Sequence, residues 1–506
     1  MNRGSRGKSL CRLLPSGSKE LAPLKGIPSR RMIRVLTDDQ VEAIHEASVK
    51  ILGRTGVRFD SEVARKRLLD AGASKHPAHG NVVTFSREAV EEIVRKLPSK
   101  VVYPARDPEW DIIYDGDHAY PYAGGGDPKI IDIDTGLARH STYADVETAA
   151  RLGDALHNNY YASSMVVPND VPTEMIELRT MEAAMKNSAK VISQHATSAE
   201  TVDYMVKMCA CVAGGEEEFR KRPLFSLASS PSSPLTYAEH VCEVLLRSAE
   251  LGVPFSVIPC PICGETGPNT LGGSLALQNA ETLAGMALIQ TVDPSLPSVY
   301  CGRVCFMDPK TGRDLWGVPE EALVSAALVQ LAHRYKMVPD TCGMASDVTR
   351  WDLQIGYERM MTALVPMMAG AESISGIGSG WEGASSYEMM VIDNEVFDDI
   401  ARIMRGITID EGRLGLDVID KVGHMGSYLS QPHTMEYLRK GEVRMSSLWD
   451  RRVSEKASRE GFKPLQEAAR EKAKRILKEH VPLPLDRDVE KEIGLVLRDA
   501  QRSLVR

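Results

Sequence analysis

Acidic and aromatic side chains that could bind a cation are concentrated in two short polar segments. One, residues 340–358 (DTCGMASDVTRWDLQIGYE), places Asp347 just after an apolar run. The other, residues 376–388 (GIGSGWEGASSYE), is a glycine-rich stretch that contains Trp381 and Glu382. An aromatic face beside a carboxylate suits a quaternary ammonium ligand. The alternative is that the Trp381 side chain only packs against the rim of the fold.

Tyr122, Gln194 and His195 are further candidates, because they also stand where apolar runs end. A histidine in such a position can serve as a base, or it can be a hydrogen-bonded structural residue. Cys260 and Cys263 form one C-x-x-C motif, with no second pair at the spacing of a zinc site. We interpret them as small buried side chains rather than a redox pair or half of a metal site. We therefore expect no bound metal.

The scaffold for these residues is indicated by a repeated pattern in the centre of the chain. Eight runs of apolar or small residues start 30 to 44 residues apart, which leaves room for one amphipathic helix and two loops in each interval. This pattern predicts an α/β fold of eight βα units, a (β/α)8 TIM barrel whose site lies at the strand ends. An open doubly wound sheet is the alternative, although no G-x-G-x-x-G follows the first run. The runs are His118–Gly125, Tyr160–Val167, Lys190–Thr197, Leu224–Ser229, Pro254–Ile262, Ser298–Phe306, Pro339–Ser346 and Glu372–Ser379.

The segments on either side of the predicted barrel differ from it in composition. Residues 1–31 are strongly basic and lack a continuous apolar stretch, so we expect a disordered tail. Residues 32–117 predict an N-terminal helical extension, and residues 118–390 the barrel. Residues 391–506 contain charged helical patterns and predict a C-terminal helical extension.

Composition excludes several classes of protein. Hydrophobic residues make up 43% and charged residues 26%, which is typical of a folded chain. A net charge of −8 argues against a nucleic-acid binder. No apolar stretch reaches the roughly 20 residues that cross a bilayer. Nine scattered cysteines do not indicate a disulfide framework, so we expect a cytoplasmic protein.

Several long segments resemble the trimethylamine methyltransferase family of corrinoid-dependent enzymes. They include LTDDQVEAIHEASVKILGRTGVRFDSE, PICGETGPNTLGGSLALQNAETLAGMALIQ and VGHMGSYLSQPHT, and the resemblance runs in order from about residue 32 to the C-terminus. It implies a (β/α)8 barrel that transfers a methyl group from a methylated amine to the cobalt of a corrinoid. The corrinoid would be carried by a separate partner protein.

The resemblance also bears on the substrate. Archaeal trimethylamine enzymes of the family carry pyrrolysine at the strand end matching CGMASD, where Ala345 stands opposite it in this chain. The chain thus resembles the branch without pyrrolysine, which demethylates quaternary amines such as glycine betaine. The resemblance and the residue chemistry together place the ammonium near Trp381, with Glu382 or Asp347 supplying negative charge.

Other site contacts follow from the same expectation. Tyr122 would be a second aromatic wall, and Gln194, His195 and Ser346 would contact the substrate or the corrinoid. No side chain is needed as a nucleophile, because the corrinoid cobalt supplies it. We further expect a homo-oligomer.

Two other classes of function remain open at this point. One is a barrel lyase or hydrolase that uses Asp347, Glu382 and His195 as acid and base. The other is a non-catalytic protein that binds small cations.

Overall fold

The computed structural model describes residues 26–381, 383–452, 459 and 461–505. The α-helices within them are α1 (Asp38–Arg54), α2 (Glu62–Asp70), α3 (Arg87–Arg95), α4 (Tyr143–Ala155), α5 (Ile176–Asn187), α6 (Ala199–Ala213), α7 (Glu216–Lys221), α8 (Glu239–Leu251), α9 (Leu271–Gln290), α10 (Pro319–Arg334), α11 (Leu353–Ala369), α12 (Tyr387–Arg405), α13 (Glu411–Leu414), α14 (Leu416–Val422), α15 (Pro432–Arg439), α16 (Leu465–Glu479) and α17 (Arg487–Leu504).

The strands are short, and most of them alternate with these helices along the chain. They are β1 (Ile27–Pro28), β2 (Val57–Phe59), β3 (Ser74–Lys75), β4 (Val82–Thr84), β5 (Val101–Tyr103), β6 (Ile112–Tyr114), β7 (His118–Ala123), β8 (Lys129–Ile131), β9 (Ala138–His140), β10 (Ile192–Gln194), β11 (Phe225–Ser229), β12 (Thr236–Tyr237), β13 (Phe255–Val257), β14 (Ile262–Cys263), β15 (Tyr300–Cys301), β16 (Cys305–Met307), β17 (Asp314–Leu315), β18 (Pro339–Cys342), β19 (Ser373–Ile377), β20 (Ser379–Trp381) and β21 (Ala384–Ser386).

Parallel ladders join the strands of the central pattern, which confirms a mixed α/β fold. One sheet has the order β1–β7–β19–β18–β15, and another has the order β10–β11–β13. The parallel pairing of β7 with β19 places the first and the last of the eight predicted runs side by side. The run at 160–167 makes only isolated bridges, of which one pairs Tyr161 with Val191.

Backbone hydrogen bonds also connect the two sheets to each other. The amides at the two ends of segment 160–162 donate to the carbonyls of Pro121 (2.9 Å) and Val191 (2.7 Å), so this segment lies between β7 and β10. On the opposite side, the Phe255 amide of β13 donates to the Pro297 carbonyl at 3.2 Å, just before β15.

Local sequence signals set the bounds of helices around these strands, as α6 illustrates. The Ser198 side chain accepts a hydrogen bond from the Thr201 amide and caps the helix N-terminus. Gly214, at φ 89°, ends the helix in the left-handed region that glycine adopts without strain. Met205 and Cys209 lie on the face of the helix that packs into the largest hydrophobic core. The sequence prediction for this helix, Ala199–Ala213, is confirmed.

The N-terminal part contains more than the expected helical extension. Residues 32–117 form three helices and five strands, because runs such as Val57–Phe59 alternate buried and exposed side chains with the period of a strand. Strands β2, β3 and β4 share a sheet with β12 from the centre of the chain. Ile27–Pro28, placed in the disordered tail by the sequence, pairs antiparallel with the start of β7.

Two features near residue 390 also differ from expectation. The glycine-rich segment at 376–388 contains a β-hairpin, in which β20 pairs antiparallel with β21. Strand β21 continues this sheet by pairing parallel with β8. Helix α12 begins at Tyr387 and ends at Arg405, so the expected domain boundary at residue 390 falls inside one helix.

None of the helices that the structure describes combines the length and the apolarity that crossing a membrane requires.

Candidate functional site

A cavity of about 210 Å³ lies at the carboxyl ends of the central strands. Tyr122 from β7, Gln194 from β10 and Asp340 from β18 line it, as does His195, the residue after β10. Drug-sized ligands occupy pockets of roughly 300–1,000 Å³, so this cavity suits a smaller molecule. The structure thus brings Tyr122, Gln194 and His195 together in one site.

Three tyrosines form an aromatic wall in this cavity. The rings of Tyr122 and Tyr161 have centroids 4.7 Å apart at an angle of 44°. Tyr103, from β5, meets Tyr161 nearly edge-on at 6.4 Å and 80°. All three line the cavity. Aromatic ring faces attract cations electrostatically, so this wall is chemically suited to an ammonium group.

Asp340 and Arg303 form a buried ion pair at the base of the same wall. The guanidinium Nη2 lies 2.5 Å from Oδ1 of Asp340, and the side chains are only 8% and 7% exposed. Tyr122 donates its hydroxyl to Oδ2 of Asp340 at 3.1 Å, and the Cys301 thiol donates to Oδ1 at 3.1 Å. Because Arg303 balances the charge of Asp340, this carboxylate positions Tyr122 more than it attracts a cation.

Four buried polar atoms in the cavity wall have no protein partner. They are Oε2 of Glu177, Oγ1 of Thr180, Nε2 of Gln194 and Oγ of Ser163. Thr180 and Gln194 are only 4% and 7% exposed. Buried polar groups are normally hydrogen-bonded, so these four atoms are available to bond a molecule that enters the cavity.

Glu177 is the carboxylate of the cavity that lacks a neighbouring cation. It belongs to the first turn of α5, one turn before Thr180, so the two side chains project from the same face of the helix. Burial raises the pKa of Glu177, because the charged form loses hydration and no cationic side chain offsets the loss. A cationic ligand would stabilise the ionised form.

His195 presents a neutral imidazole to the cavity. Its Nδ1 donates to the Ala228 carbonyl at 2.9 Å, which leaves Nε2 without a hydrogen in the neutral ring. Burial lowers the pKa of His195, because surrounding protein disfavours the charged form. The ring surface is nevertheless open to the cavity.

Asp347 and Ser346 lie outside this cavity wall and have partners of their own. Asp347 accepts hydrogen bonds from the backbone amides of Trp316 (2.8 Å) and Gly317 (2.7 Å). The Ser346 hydroxyl donates to Oε2 of Glu358 at 2.7 Å. Through these contacts the two side chains hold the loop after β18 in place.

Ala345, predicted opposite pyrrolysine, belongs to the same loop. Its amide donates to Oγ1 of Thr362 on α11 at 3.1 Å, and its side chain is half-buried. Glu382 and the Trp381 side chain lie outside the residues that the structure describes. Their predicted role at the ammonium group therefore stays a prediction.

The C-x-x-C motif lies beside the site in a short three-stranded sheet. Strand β14 pairs with β16 so that Ile262 stands opposite Cys305 and Cys263 opposite Phe306. Cys263 is buried and Cys260 is half-buried. Within the described part of the chain, these cysteines do not join two further ligands at metal-binding distance.

Among the described residues, one group of three side chains has potential metal-ligand atoms within 4.8 Å of one another. It consists of Glu42, His45 and Glu46 on α1. Glu42 accepts from Arg334 at 2.8 Å, and the imidazole of His45 bonds the Tyr335 hydroxyl at 2.8 Å. Their bonds to protein account for the cluster, and the expected lack of a bound metal stays a prediction.

Sequence reasoning missed most residues of the cavity, among them Asp340, Tyr161, Tyr103 and Glu177. Asp340 and Tyr161 lie inside runs that were predicted as strands. A carboxylate within the buried strand Pro339–Cys342 is unusual and could have indicated that Asp340 has a function. Tyr103 comes from the N-terminal extension and Glu177 from a helix, and neither carried a local signal.

The strand ends, the tyrosine wall and the open polar atoms define an α/β protein with a small, partly aromatic and partly polar cavity. The chain belongs to the trimethylamine methyltransferase (MTTB) family, which matches it over residues 6–500. It is therefore a member of a family of methyltransferases, as the quoted sequence segments indicated.

Named relatives support this membership along nearly the whole chain. The glycine betaine methyltransferase of Desulfitobacterium hafniense (strain Y51) is 32% identical over 473 residues, covering 93% of this chain and 97% of that protein. Trimethylamine methyltransferase MttB of Methanosarcina barkeri is 30% identical over 477 residues, covering 93% and 96%. A crystal structure of a hydroxylamine complex of MtmB aligns with a TM-score of 0.46 at 12% identity, covering 93% of this chain and 88% of that one.

Proposed function

We propose that this protein transfers a methyl group from a small quaternary ammonium compound of the glycine betaine type to the cobalt of a corrinoid. The corrinoid is carried by a separate protein. The observation that carries the proposal is the cavity, which is lined by three tyrosines and by Glu177, whose Oε2 has no protein partner. A chain of this family with such a cavity fits the substrate named for its relative, glycine betaine methyltransferase.

The ammonium end of the substrate is held by aromatic faces and one carboxylate. Tyr103, Tyr122 and Tyr161 provide the faces, each worth about 0.5–2 kcal/mol to a cation. Glu177 provides the charge, and binding a cation would remove the unfavourable burial of its ionised form. Both effects favour a permanently charged ammonium over a neutral amine.

The other end of the substrate is a carboxylate in this proposal. Nε2 of Gln194 and Oγ of Ser163 are open donors in the cavity wall, and a substrate carboxylate would accept from both. Trimethylamine has no acceptor group for them. A ligand that leaves these buried donors without an acceptor binds less tightly. We therefore favour a betaine over trimethylamine as the substrate.

In this reaction the chain has to orient the substrate and to exclude water from the cavity. A quaternary ammonium leaves as a neutral amine after losing a methyl group, so no protein acid has to protonate the leaving group. The corrinoid supplies the cobalt(I) nucleophile. The cavity residues hold the N-methyl group in a fixed position, which lowers the entropic part of the barrier. Gly124, Gly125 and Gly126 line the cavity without adding side chains to it.

We also propose a closed barrel and a cytoplasmic location for this protein. We infer that the eight central segments close a (β/α)8 barrel, supported by the β7–β19 pairing and by the hydrogen bonds of segment 160–162. We place the reaction in the cytoplasm, in keeping with the free cysteines. Trp381 and Glu382 stay predicted contacts at the mouth, with Ala345 at the pyrrolysine position, whereas Asp347 and Ser346 are replaced by Glu177 in this proposal because they lie outside the cavity wall.

A methyl-transfer assay tests the function directly. The purified protein is mixed with free cob(I)alamin and, separately, with glycine betaine, trimethylamine or dimethylglycine, and absorbance follows the formation of methylcobalamin. We expect methylation with glycine betaine and little with trimethylamine. Methylation with trimethylamine alone would contradict the assignment of Gln194 and Ser163, and no methylation with any quaternary amine would overturn the proposal.

A further inference from the structure

The segment from residue 407 to residue 445, here called the arm, exposes large apolar side chains at a higher density than the rest of the described chain. Its helices α13, α14 and α15 contain no buried residue. None of the residues between 405 and 447, all of which the structure describes, belongs to a hydrophobic core cluster. The large apolar side chains exposed on the arm are Ile407, Ile409, Leu414, Leu416, Ile419, Met425, Tyr428, Leu429, Val443 and Met445.

The arm is held to the body mainly through polar contacts at its base. Arg402 of α12 donates to the Glu442 carbonyl at 3.1 Å. Arg444 binds the carboxylates of Glu395 (2.6 Å) and Asp398 (3.2 Å), which also belong to α12. These contacts fix where the arm leaves the body and leave its apolar side chains uncovered.

Within the arm, the contacts are polar or aromatic as well. The imidazole of His433 donates to the Gly412 carbonyl at 3.0 Å and stacks on Tyr437 with ring centroids 4.4 Å apart. Arg413 bonds Glu442 at 3.1 Å. The arm therefore has a defined shape without an apolar core of its own.

Helices of this length do not persist in water without packing. The three helices span 4, 7 and 8 residues, below the roughly 12–15 residues at which isolated helices become even marginally stable. Helical stability in proteins comes mostly from burying an apolar face, and in the single chain no residue of these three helices is fully buried. A second surface that covers the arm would stabilise them.

The exposed area is large enough for a stable interface. The ten side chains are between 43% and 106% exposed. Together they present on the order of 1,000 Å² of apolar surface, against about 300–600 Å² for the largest patch of a typical monomer and about 800 Å² per partner in a standard interface.

We infer that the arm is covered by the arm of a second copy of this chain, in a permanent dimer or in a larger oligomer built from it. A partner that binds and leaves during each reaction cycle would expose this surface repeatedly, and transient interfaces are no more apolar than the rest of a protein surface. Obligate homo-oligomer interfaces are the apolar class. The charge of the arm is compatible with self-association. It carries six acidic and five basic residues, so two arms do not repel each other strongly.

The arrangement needs no third component. A two-fold axis places the same patch of both chains in contact, so apolar residues of one arm, such as Leu416 and Leu429, meet apolar residues of the other. The inference stands independently of the proposed methyl transfer, since it rests only on the surface of the arm.

Sedimentation velocity on the full-length protein at micromolar concentration, with light scattering as a second mass measurement, tests it. We expect the unmodified chain to be an oligomer. The double variant Leu416→Glu with Leu429→Glu should weaken self-association at least about 100-fold, because it buries like charges against each other. Leu495→Glu is the matched control, since Leu495 on α17 is 59% exposed and Leu429 is 61% exposed. The control should leave the mass unchanged.

Circular dichroism and the melting transition separate loss of assembly from loss of the fold. We expect the double variant to keep the strand and helix signal of the body and to lose at most the contribution of the short arm helices. A monomeric unmodified chain would overturn the inference, and so would a double variant with unchanged mass. Unchanged mass with a selective loss of transfer to a corrinoid protein, while free cob(I)alamin is still methylated, would assign the arm to that protein instead.

Discussion

The hydroxyl of Tyr122 donates a hydrogen bond to the carboxylate of Asp340 at 3.1 Å, linking two strands that are separated by β19. Arg303 holds the same carboxylate from the other side. Tyr122 is therefore fixed in orientation, with its ring turned toward Tyr161 in the cavity. This network explains why an aspartate lies within a buried strand, since it anchors an aromatic wall.

The ring of Tyr122 is the first target for a test. Tyr122→Leu removes the aromatic face, and we expect the KM for glycine betaine to rise about 2- to 30-fold. Tyr122→Phe is the control that keeps the face and removes the hydroxyl, and its KM should stay close to that of the unmodified protein. Initial rates of methyl transfer to cob(I)alamin measure both. Equal losses in the two variants would assign the effect to the hydroxyl rather than to the ring.

Two carboxylates, Glu177 and Asp347, compete as the counter-charge of the ammonium. Glu177→Gln should raise the KM about 10-fold, because the charge facing the substrate is lost. Asp347→Asn should leave the KM unchanged and lower the melting temperature, because Asp347 accepts from two backbone amides. Glu174→Gln, at an exposed position one turn before Glu177, is the control. A raised KM in Asp347→Asn alone would restore the assignment made from the sequence.

Glu281 makes stability depend on pH. Its carboxylate is fully buried on α9 and accepts from the Ser233 hydroxyl (2.8 Å) and the Leu235 amide (2.7 Å). Burial raises the pKa of Glu281 from 4.5 to about 7. Between these values the folded state binds more protons than the unfolded state, so this group lowers stability as pH rises through the window.

Glu281→Gln removes this pH dependence because the amide does not ionise. As pH rises from 5 to 8, we expect the free energy of unfolding of the variant to increase by about 2–3 kcal/mol relative to that of the unmodified protein. Melting temperatures across this pH range measure the gain, and Glu265→Gln, at an exposed position, is the control. Parallel curves for Glu281→Gln and the unmodified protein would show that Glu281 binds protons equally in the folded and unfolded states, so that burial does not raise its pKa.

Lys190, which lies just before β10, stabilises the turn that follows α4. It is 1% exposed, and its Nζ donates to the carbonyls of Gly153 (3.0 Å), Leu156 (2.8 Å) and Asn159 (2.6 Å). Lys190→Met leaves three buried carbonyls without this donor, and we expect a loss of about 3–5 kcal/mol in the free energy of unfolding. Lys66→Met, at an exposed position on α2, is the control. A loss below about 1 kcal/mol would mean that water replaces the ammonium.

Much of the central architecture was readable from the sequence because it depends on local patterns. Seven of the eight apolar runs contain strands, the run at 160–167 being the exception, and the periodicity between the runs predicted helices such as α6 and α10. Burial acts on each residue through its immediate neighbours, so the period of burial is visible along the chain. The same strand-end reasoning found Tyr122, Gln194 and His195, because parallel strands end at one edge.

The composition of the cavity was decided by tertiary structure alone. Tyr103 reaches it from the N-terminal extension and Glu177 from α5, and Asp347 is instead occupied by the backbone of Trp316 and Gly317. Such partners are set by the register of strands and by the packing of segments distant in the chain. A local pattern records that a side chain is buried, whereas its partner depends on where the rest of the chain is placed.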